Sequence, residues 1–228
     1  MPTPKIVCLR GISMLAKQEY LVNPCGSASL PYWKLMNISI PDHLHITHHS
    51  GCPPRPNRGD IYFRLYHDLR HINPPVLAAD YRISTASPVD ADEIASIINA
   101  SYPDCKVNRQ EVLGWTRTPV YCPNLWIFVE DTVASIPVAC GIADFDPDIG
   151  ELILEWIQVL PDYRRQGIGT ALVQALLCRR SSQALFATVS GNAFNVSHPE
   201  ALYRKCGFTG QDYWHVWSDP EKKGLSHA

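Results

Sequence analysis

The pattern of hydrophobic and polar positions changes character near residue 80. From 81 to 86 apolar and polar residues alternate, which predicts a strand. Ser87-Pro88 then supplies an N-cap and an N1 proline for a helix whose buried stripe is Ile94, Ile97 and Ile98. Asn108, followed three residues later by Glu111, has the capping-box pattern and predicts a second helix ending near Trp115. Residues 125–130, 138–145 and 151–159 predict three consecutive strands. Ile168, Leu172, Leu176 and Leu177 recur at helical spacing through 167–180; 185–189 predicts a buried strand, 198–206 a short helix and 208–217 an aromatic strand. The order from residue 81 is β-α-α-β-β-β-α-β-α-β. That is a mixed central sheet flanked by helices, with right-handed crossovers wherever parallel strands are joined.

Before residue 80 the chain is rich in proline and histidine, with breakers at Asn23-Pro24, Cys52-Pro53-Pro54, Pro56 and Asn73-Pro74-Pro75. Only 13–21 (helix) and 61–69 (strand or turn) suggest regular structure. Residues 1–80 are therefore expected to form an irregular N-terminal extension packed on the main domain at 81–217, with 218–228 as a C-terminal tail. Tyr32, Trp33, Tyr62, Phe63 and Tyr66 are too many aromatics for a disordered arm. Met14 is an alternative start.

Composition narrows the function classes. The 228 residues carry 20 Lys+Arg against 22 Asp+Glu, so no broad basic surface is available and nucleic acid is excluded as the main partner. No apolar run approaches 18 residues, and the 6–16 stretch is broken by Arg10 without a cleavage pattern behind it. The expectation is a cytoplasmic protein with no membrane partner. The eight cysteines stand singly, without any CxxC, which fits neither a disulfide scaffold nor a zinc ribbon. His43, His45, His48, His49 and Cys52 share no standard zinc spacing and sit among prolines, so an exposed loop and no metal are expected.

The segment that carries chemistry is 160–172, Leu-Pro-Asp-Tyr-Arg-Arg-Gln-Gly-Ile-Gly-Thr-Ala-Leu. A strand ends at Val159, a proline turn follows, and Arg164-x-x-Gly167-x-Gly169 runs directly into a helix. Glycines at such a junction leave backbone N–H groups facing outward, and the helix dipole adds positive potential, which suits a pyrophosphate. No Gly-Lys-Ser/Thr follows, so this is not a Walker A loop, and the third glycine of a dinucleotide fingerprint is missing.

This stretch resembles the acyl-CoA pyrophosphate signature R/Q-x-x-G-x-G/A of the GNAT superfamily of N-acyltransferases. A second signature follows at the expected distance: Ala201-Leu-Tyr203-Arg-Lys-Cys-Gly207-Phe208 is similar to the family's A-x-Y-x-x-x-G-F. The resemblance covers about 81–217 and implies a GNAT-like acyl-CoA N-acyltransferase fold. The whole chain, with Asn23-Pro-Cys-Gly and Leu30-Pro-Tyr-Trp33 in its extension, resembles a clostridial-type branch of that family.

The resemblance implies acetyl-CoA as co-substrate. Arg164 belongs to its pyrophosphate signature, and Arg165, Gln166, Gly167, Ile168, Gly169 and Thr170 would offer backbone amides to the pyrophosphate. Backbone groups of Ile157 and Val159 would meet the pantetheine arm. Asn195 stands beside Val196, which occupies the place of the family's usual cofactor-contacting asparagine. Tyr203 falls at the general-acid position. For the base, Glu155 is favoured; Glu151, placed by alternation on the same strand face, and Asp144 are the alternatives. Trp33, Trp115, Trp126, Trp156 and Trp214 are either core or the lining of an acceptor pocket. The implied reaction is direct acetyl transfer, in a ternary complex, to a small-molecule amine or an exposed protein amino group. A homodimer is compatible with this reading. The rival readings are a non-catalytic acyl-CoA sensor and an interaction module.

Overall fold

The computed structural model describes residues 17–102, 105–180 and 182–218. Met14, the first residues of the expected 13–21 helix and the tail beyond Ser218 lie outside the described residues. In chain order the first elements are helices α1 (Lys17–Val22) and α2 (Tyr32–Asn37) and strands β1 (Leu44–Ser50), β2 (Asp60–His67) and β3 (Tyr81–Thr85). Helices α3 (Ala91–Ser101) and α4 (Arg109–Trp115) and strands β4 (Trp126–Asp131), β5 (Ile136–Asp146) and β6 (Glu151–Val159) follow. Helix α5 (Ile168–Arg180), strand β7 (Phe186–Asn192), helix α6 (Pro199–Lys205) and strand β8 (Thr209–Ser218) complete the order. From β3 onward this is the succession that the hydrophobic pattern predicts.

The chain divides into two compact units, one built from His67–Ala187 with Lys205–Gly207, the other from the residues up to Tyr66, Thr188–Arg204 and those from Phe208 on.

The first of these contains the antiparallel run β3-β4-β5-β6, in which Ser84 pairs with Phe128, Phe128 with Cys140 and Cys140 with Gln158. One face packs against α3 and α4 through Ile94, Ile97, Ile98, Val112, Trp126, Phe128 and Ile142. Fully burying an isoleucine contributes about 1.5–3 kcal/mol, so the α3 stripe alone is a large stabilising term. Ser87 does not open α3 directly. Asp90 accepts from the Ser87 amide at 2.8 Å and from its hydroxyl at 2.9 Å, closing a 3-10 turn at Pro88–Asp90 before the helix proper. Asn108 and Glu111 cap each other at the start of α4, as their spacing predicts. On the opposite face, a Cβ at Gly141 would lie 3.2–3.3 Å from Leu172, Leu176 and Ile127, so the absent side chain is what lets α5 settle close to the sheet.

In the other unit the hydrogen-bonded order is β1-β8-β2-β7. Strand β8 is held antiparallel by β1 on one edge (Leu44 opposite Ser218, Ser50 opposite Asp212) and by β2 on the other (Asp60 opposite Val216, Phe63 opposite Tyr213). Within the segment expected to be irregular, the described residues thus hold two helices and two strands. The prolines that read as breakers lie between strands, at Pro53, Pro54 and Pro56, where a missing N–H costs nothing. Arg64 of β2 is only 1 % exposed. It donates to the Tyr20 hydroxyl at 2.7 Å, the Pro24 carbonyl at 3.2 Å and Ser190 Oγ at 3.2 Å, tying the α1 region to β2 and β7. Trp214 Nε1 donates to the Cys25 carbonyl at 2.8 Å. Among the described residues no helix is long and apolar enough to cross a membrane.

Candidate functional site

The turn from β6 into α5 begins with a 3-10 turn at Pro161–Tyr163, after which Arg165 (φ 67°) and Gly167 (φ 82°) both adopt left-handed backbone. Two left-handed residues in three reverse the chain sharply and leave 164–167 exposed. A Cβ built on Gly167 meets nothing within 4 Å. The space in front of the turn is open, and glycine is required there by the backbone angle rather than by crowding. The first helical bond of α5 runs from the Ala171 amide to the Gly167 carbonyl. The amides of Ile168, Gly169 and Thr170 therefore have no acceptor inside the helix, which is the condition for receiving an anion.

Side chains brace this turn. Arg164 donates to the Val159 carbonyl at 3.0 Å and the Ser101 carbonyl at 3.3 Å, pinning it to the ends of β6 and α3. Gln166 Oε1 accepts from the Tyr81 hydroxyl at 2.7 Å, and the Tyr81 and Tyr163 rings meet edge-on at 6.4 Å. The side chains of Arg164 and Gln166 are thus committed to the protein, and the turn presents its backbone and the exposed Arg165 outward.

Ile157 and Val159 can be placed from the ladder. Leu160 donates to the Val138 carbonyl, so the narrow antiparallel pairs are Gln158/Cys140 and Trp156/Ile142. The N–H and C=O groups of Ile157 and Val159 consequently point to the edge of β6 away from β5. The Val159 carbonyl is taken by Arg164.

Glu155 sits at a break in register: Ile142 pairs with Trp156 but Ala143 with Leu154, leaving Glu155 as an extra residue. A bulge interrupts the side-chain alternation here, so counting in twos does not carry across it to Trp156. Glu155 is half-buried, whereas Glu151 is fully buried and Asp144 is 8 % exposed. Glu151 faces Asp146 across β5 and β6.

Three indoles meet in this same unit. Trp115, at the end of α4, stacks on Trp156 with centroids 5.6 Å apart and planes 19° from parallel, and meets Trp126 edge-on at 6.5 Å. Tyr121 stands edge-on to Trp126 at 5.2 Å. Sequence reasoning passed over Tyr121, which lies in a loop without periodicity. Trp33 and Trp214 belong to the other unit.

Tyr203 lies on α6, 7 % exposed, with Phe63 at 6.0 Å and Phe208 edge-on at 5.8 Å fixing its ring. The Asn195 Oδ1 accepts from the Ser197 amide at 2.8 Å and hydroxyl at 2.7 Å, so its side chain shapes the loop before α6. Burial pushes the Cys140 thiol up to about 12 and Cys206 up to about 11, which leaves neither with appreciable thiolate. His43 precedes β1, whereas His45, His48 and His49 lie on that strand rather than in a loop, and His48 pairs with Asp212 at 2.8 Å. Among the described residues no group of three or more ligand-type side chains is gathered.

Residues 123–210 match the family described as acetyltransferase (GNAT) domain. No curated protein matches the chain. Among solved structures, the chain is similar to a GCN5-related N-acetyltransferase from Sphaerobacter thermophilus, at 14 % identity and a TM-score of 0.62 over 81 % of this chain and 62 % of that one. A tandem GNAT protein from the clavulanic acid biosynthesis pathway aligns at 15 % identity and TM-score 0.57, over 77 % of this chain and 63 % of its own. Ard1 from Thermoplasma volcanium aligns over its whole length and 62 % of this chain, at 18 % identity and TM-score 0.50. The chain thus spans less than two thirds of the length of the first two, and identities this low speak for the fold alone. The likeness to a GNAT acetyltransferase domain rests on residues 123–210.

Proposed function

We propose that the protein is an acetyl-CoA-dependent N-acetyltransferase that passes the acetyl group directly to a primary amine in a ternary complex. The observation that carries the reading is the β6–α5 turn. It combines two left-handed residues, open space in front of Gly167 and three first-turn amides without helical acceptors. That cradle fits a pyrophosphate, and the resemblance puts the pantetheine arm along the side of β6 away from β5, where the backbone groups of Ile157 point.

In this reading the acceptor amine must be neutral when it attacks the thioester carbonyl, and a carboxylate removes its proton. Glu155 suits that role better than Glu151 or Asp144, because it is the most exposed of the three. Tyr203, at the general-acid position of the resemblance, returns a proton to the departing CoA thiolate. Direct attack is favoured over an acyl-cysteine, since burial keeps Cys140 and Cys206 protonated.

The test is a thermal shift with acetyl-CoA followed by turnover over an amine panel. A ligand at a hundred times its dissociation constant adds about 2.7 kcal/mol, a readily measured rise. Stabilisation with turnover supports the enzyme; stabilisation without turnover on any amine points to a sensor. No shift at millimolar acetyl-CoA overturns the reading.

A further inference from the structure

The row Trp126, Ile142, Trp156 runs straight across β4, β5 and β6, because Ile142 is the register partner of both tryptophans. All three therefore share one face of the sheet, and Trp115 arrives over that row from α4. Trp126 is fully buried, but Trp115 and Trp156 are only half-buried, so a nearly parallel indole stack reaches the surface. Val107 and Leu113, also half-buried, pack against the same buried cluster. Two large aromatic side chains left partly wet on one spot is a costly arrangement for a surface that binds nothing.

A second observation points to the same place. The Tyr121 hydroxyl and Trp126 Nε1 are buried and have no hydrogen-bond partner among the described residues. An orphaned buried polar group costs about 1–3 kcal/mol, and these two sit on rings in direct contact. The Val120 carbonyl accepts from the Phe145 amide at 2.8 Å, which fixes the Tyr121 loop beside the end of β5. Two residues along β5 from Ile142, on the same face, lies Asp144, with the Asp146–Glu151 pair beyond it. The face is thus polarised: flat aromatic surface at one end, carboxylates at the other.

We propose that this face is the acceptor site, and that the acceptor is a primary amine bearing a flat aromatic ring, arriving as its ammonium form. The ring extends the Trp115–Trp156 stack, a polar ring substituent meets the Tyr121 hydroxyl, and the ammonium end lies toward the carboxylates. Glu155, the proposed base, is next to Trp156 in the chain. The assignment rests on the acetyltransferase reading, but binding of the amine can be measured without it.

Saturation-transfer NMR on the full-length protein, without acetyl-CoA, compares phenethylamine and tyramine with spermidine and glucosamine. Transfer to the ring protons of the aromatic amines is expected, with no signal from the other two. Trp115→Leu and Trp156→Leu are expected to weaken binding at least tenfold and to raise KM for the aromatic amine by a similar factor, with kcat within threefold. Tyr121→Phe is expected to weaken tyramine selectively over phenethylamine. An unchanged acetyl-CoA thermal shift reports that each variant is folded, and Trp115→Phe is the milder substitution should Leu not fold. Binding of spermidine or glucosamine in preference to the aromatic amines overturns the proposal, as do tryptophan variants that bind them as wild type does. Aromatic amines that bind to a protein with no acetyl-CoA shift would sink the acetyltransferase reading and leave the aromatic site standing.

Discussion

The two units of this molecule are made from the chain in opposite ways. One is almost a single run, from His67 to Ala187, whose strands β3 to β6 each pair with the next in sequence. The other is assembled from pieces at both ends of the chain, so that β8 finds its partners in β1 and β2. Turn chemistry and periodicity operate over a few residues and can specify the first kind of unit almost completely. The second kind depends on pairings that no local pattern encodes.

The sharpest way to break that contrast is to remove residues 1–80. If these residues were only a cover, 81–228 would remain folded. The structure instead expects loss of the fold, because β8 loses the strands on both its edges, Tyr213 loses Phe63 opposite it and Trp214 loses His48 and the Cys25 carbonyl. Circular dichroism and size-exclusion chromatography of the truncated chain check this. A soluble, cooperatively melting 81–228 would show that β1 and β2 are dispensable.

Next in size is the chemistry. Tyr203→Phe retains the ring between Phe63 and Phe208 and removes only the hydroxyl. Turnover is expected to fall roughly 10²–10⁴-fold with little change in acetyl-CoA affinity. A loss smaller than about threefold under chemistry-limited conditions makes the tyrosine structural. Glu155→Gln should lower turnover while Glu151→Gln leaves the chemical step alone, and the reverse result reassigns the base.

Arg64→Met sharpens the picture of the pieced-together unit. It strips donors from the Tyr20 hydroxyl, the Pro24 carbonyl and Ser190 at once, and a loss of about 3 kcal/mol is expected in denaturant melts. A loss under about 1 kcal/mol would show that the α1 region is held by other contacts.

Two glycines separate the units further. A Cβ at Gly191 would lie 2.6 Å from the buried Phe63 ring, whereas one at Gly167 meets only space. Gly167→Ala is expected to cost about 1–2 kcal/mol for its left-handed backbone and to weaken acetyl-CoA binding. Gly191→Ala should cost more stability. The comparison fails if Gly191→Ala is the cheaper of the two in thermal melts.

The smallest effect is with pH. Burial, then repulsion from His215 and His48, holds His49 below the usual histidine range, and burial does the same to His67 despite opposing pulls from Asp68 and the Cys206 backbone. Both folded pKa values lie below the unfolded one, so the unfolded chain takes up protons first as pH falls. Stability should be level above about pH 7 and decline as pH drops through about 6.5 toward the folded values. Chemical melts at pH 7.5 and 5.5 check the sign, and His49→Gln should flatten the slope.

Legibility in the sequence followed the same division. The glycine turn was readable because a strand end, a proline and two glycines must be adjacent in the chain to make it. The capping box at Asn108 was readable for the same reason. Strand β1 was not, since Leu-His-Ile-Thr-His-His-Ser has weak alternation between prolines and becomes a strand only when β8 is present. The bulge at Glu155 hid as well: Leu-Ile-Leu-Glu-Trp-Ile reads as continuous strand, and only the pairing with β5 exposes the extra residue.

The placement of β8 also bears on how the protein is born. Leu44 pairs with Ser218, so β1 must wait for a segment that leaves the ribosome well over a hundred residues later. At about 5–20 residues per second, the 151 residues from Asp68 through Ser218 take roughly 8–30 s to add. Throughout that interval β1 and β2 are nascent strands with open edges, exposed to other chains. Yield in the cell should therefore track holdase chaperones and translation speed more closely than the stability of the finished protein, and a late stop codon should be as ruinous as an early deletion.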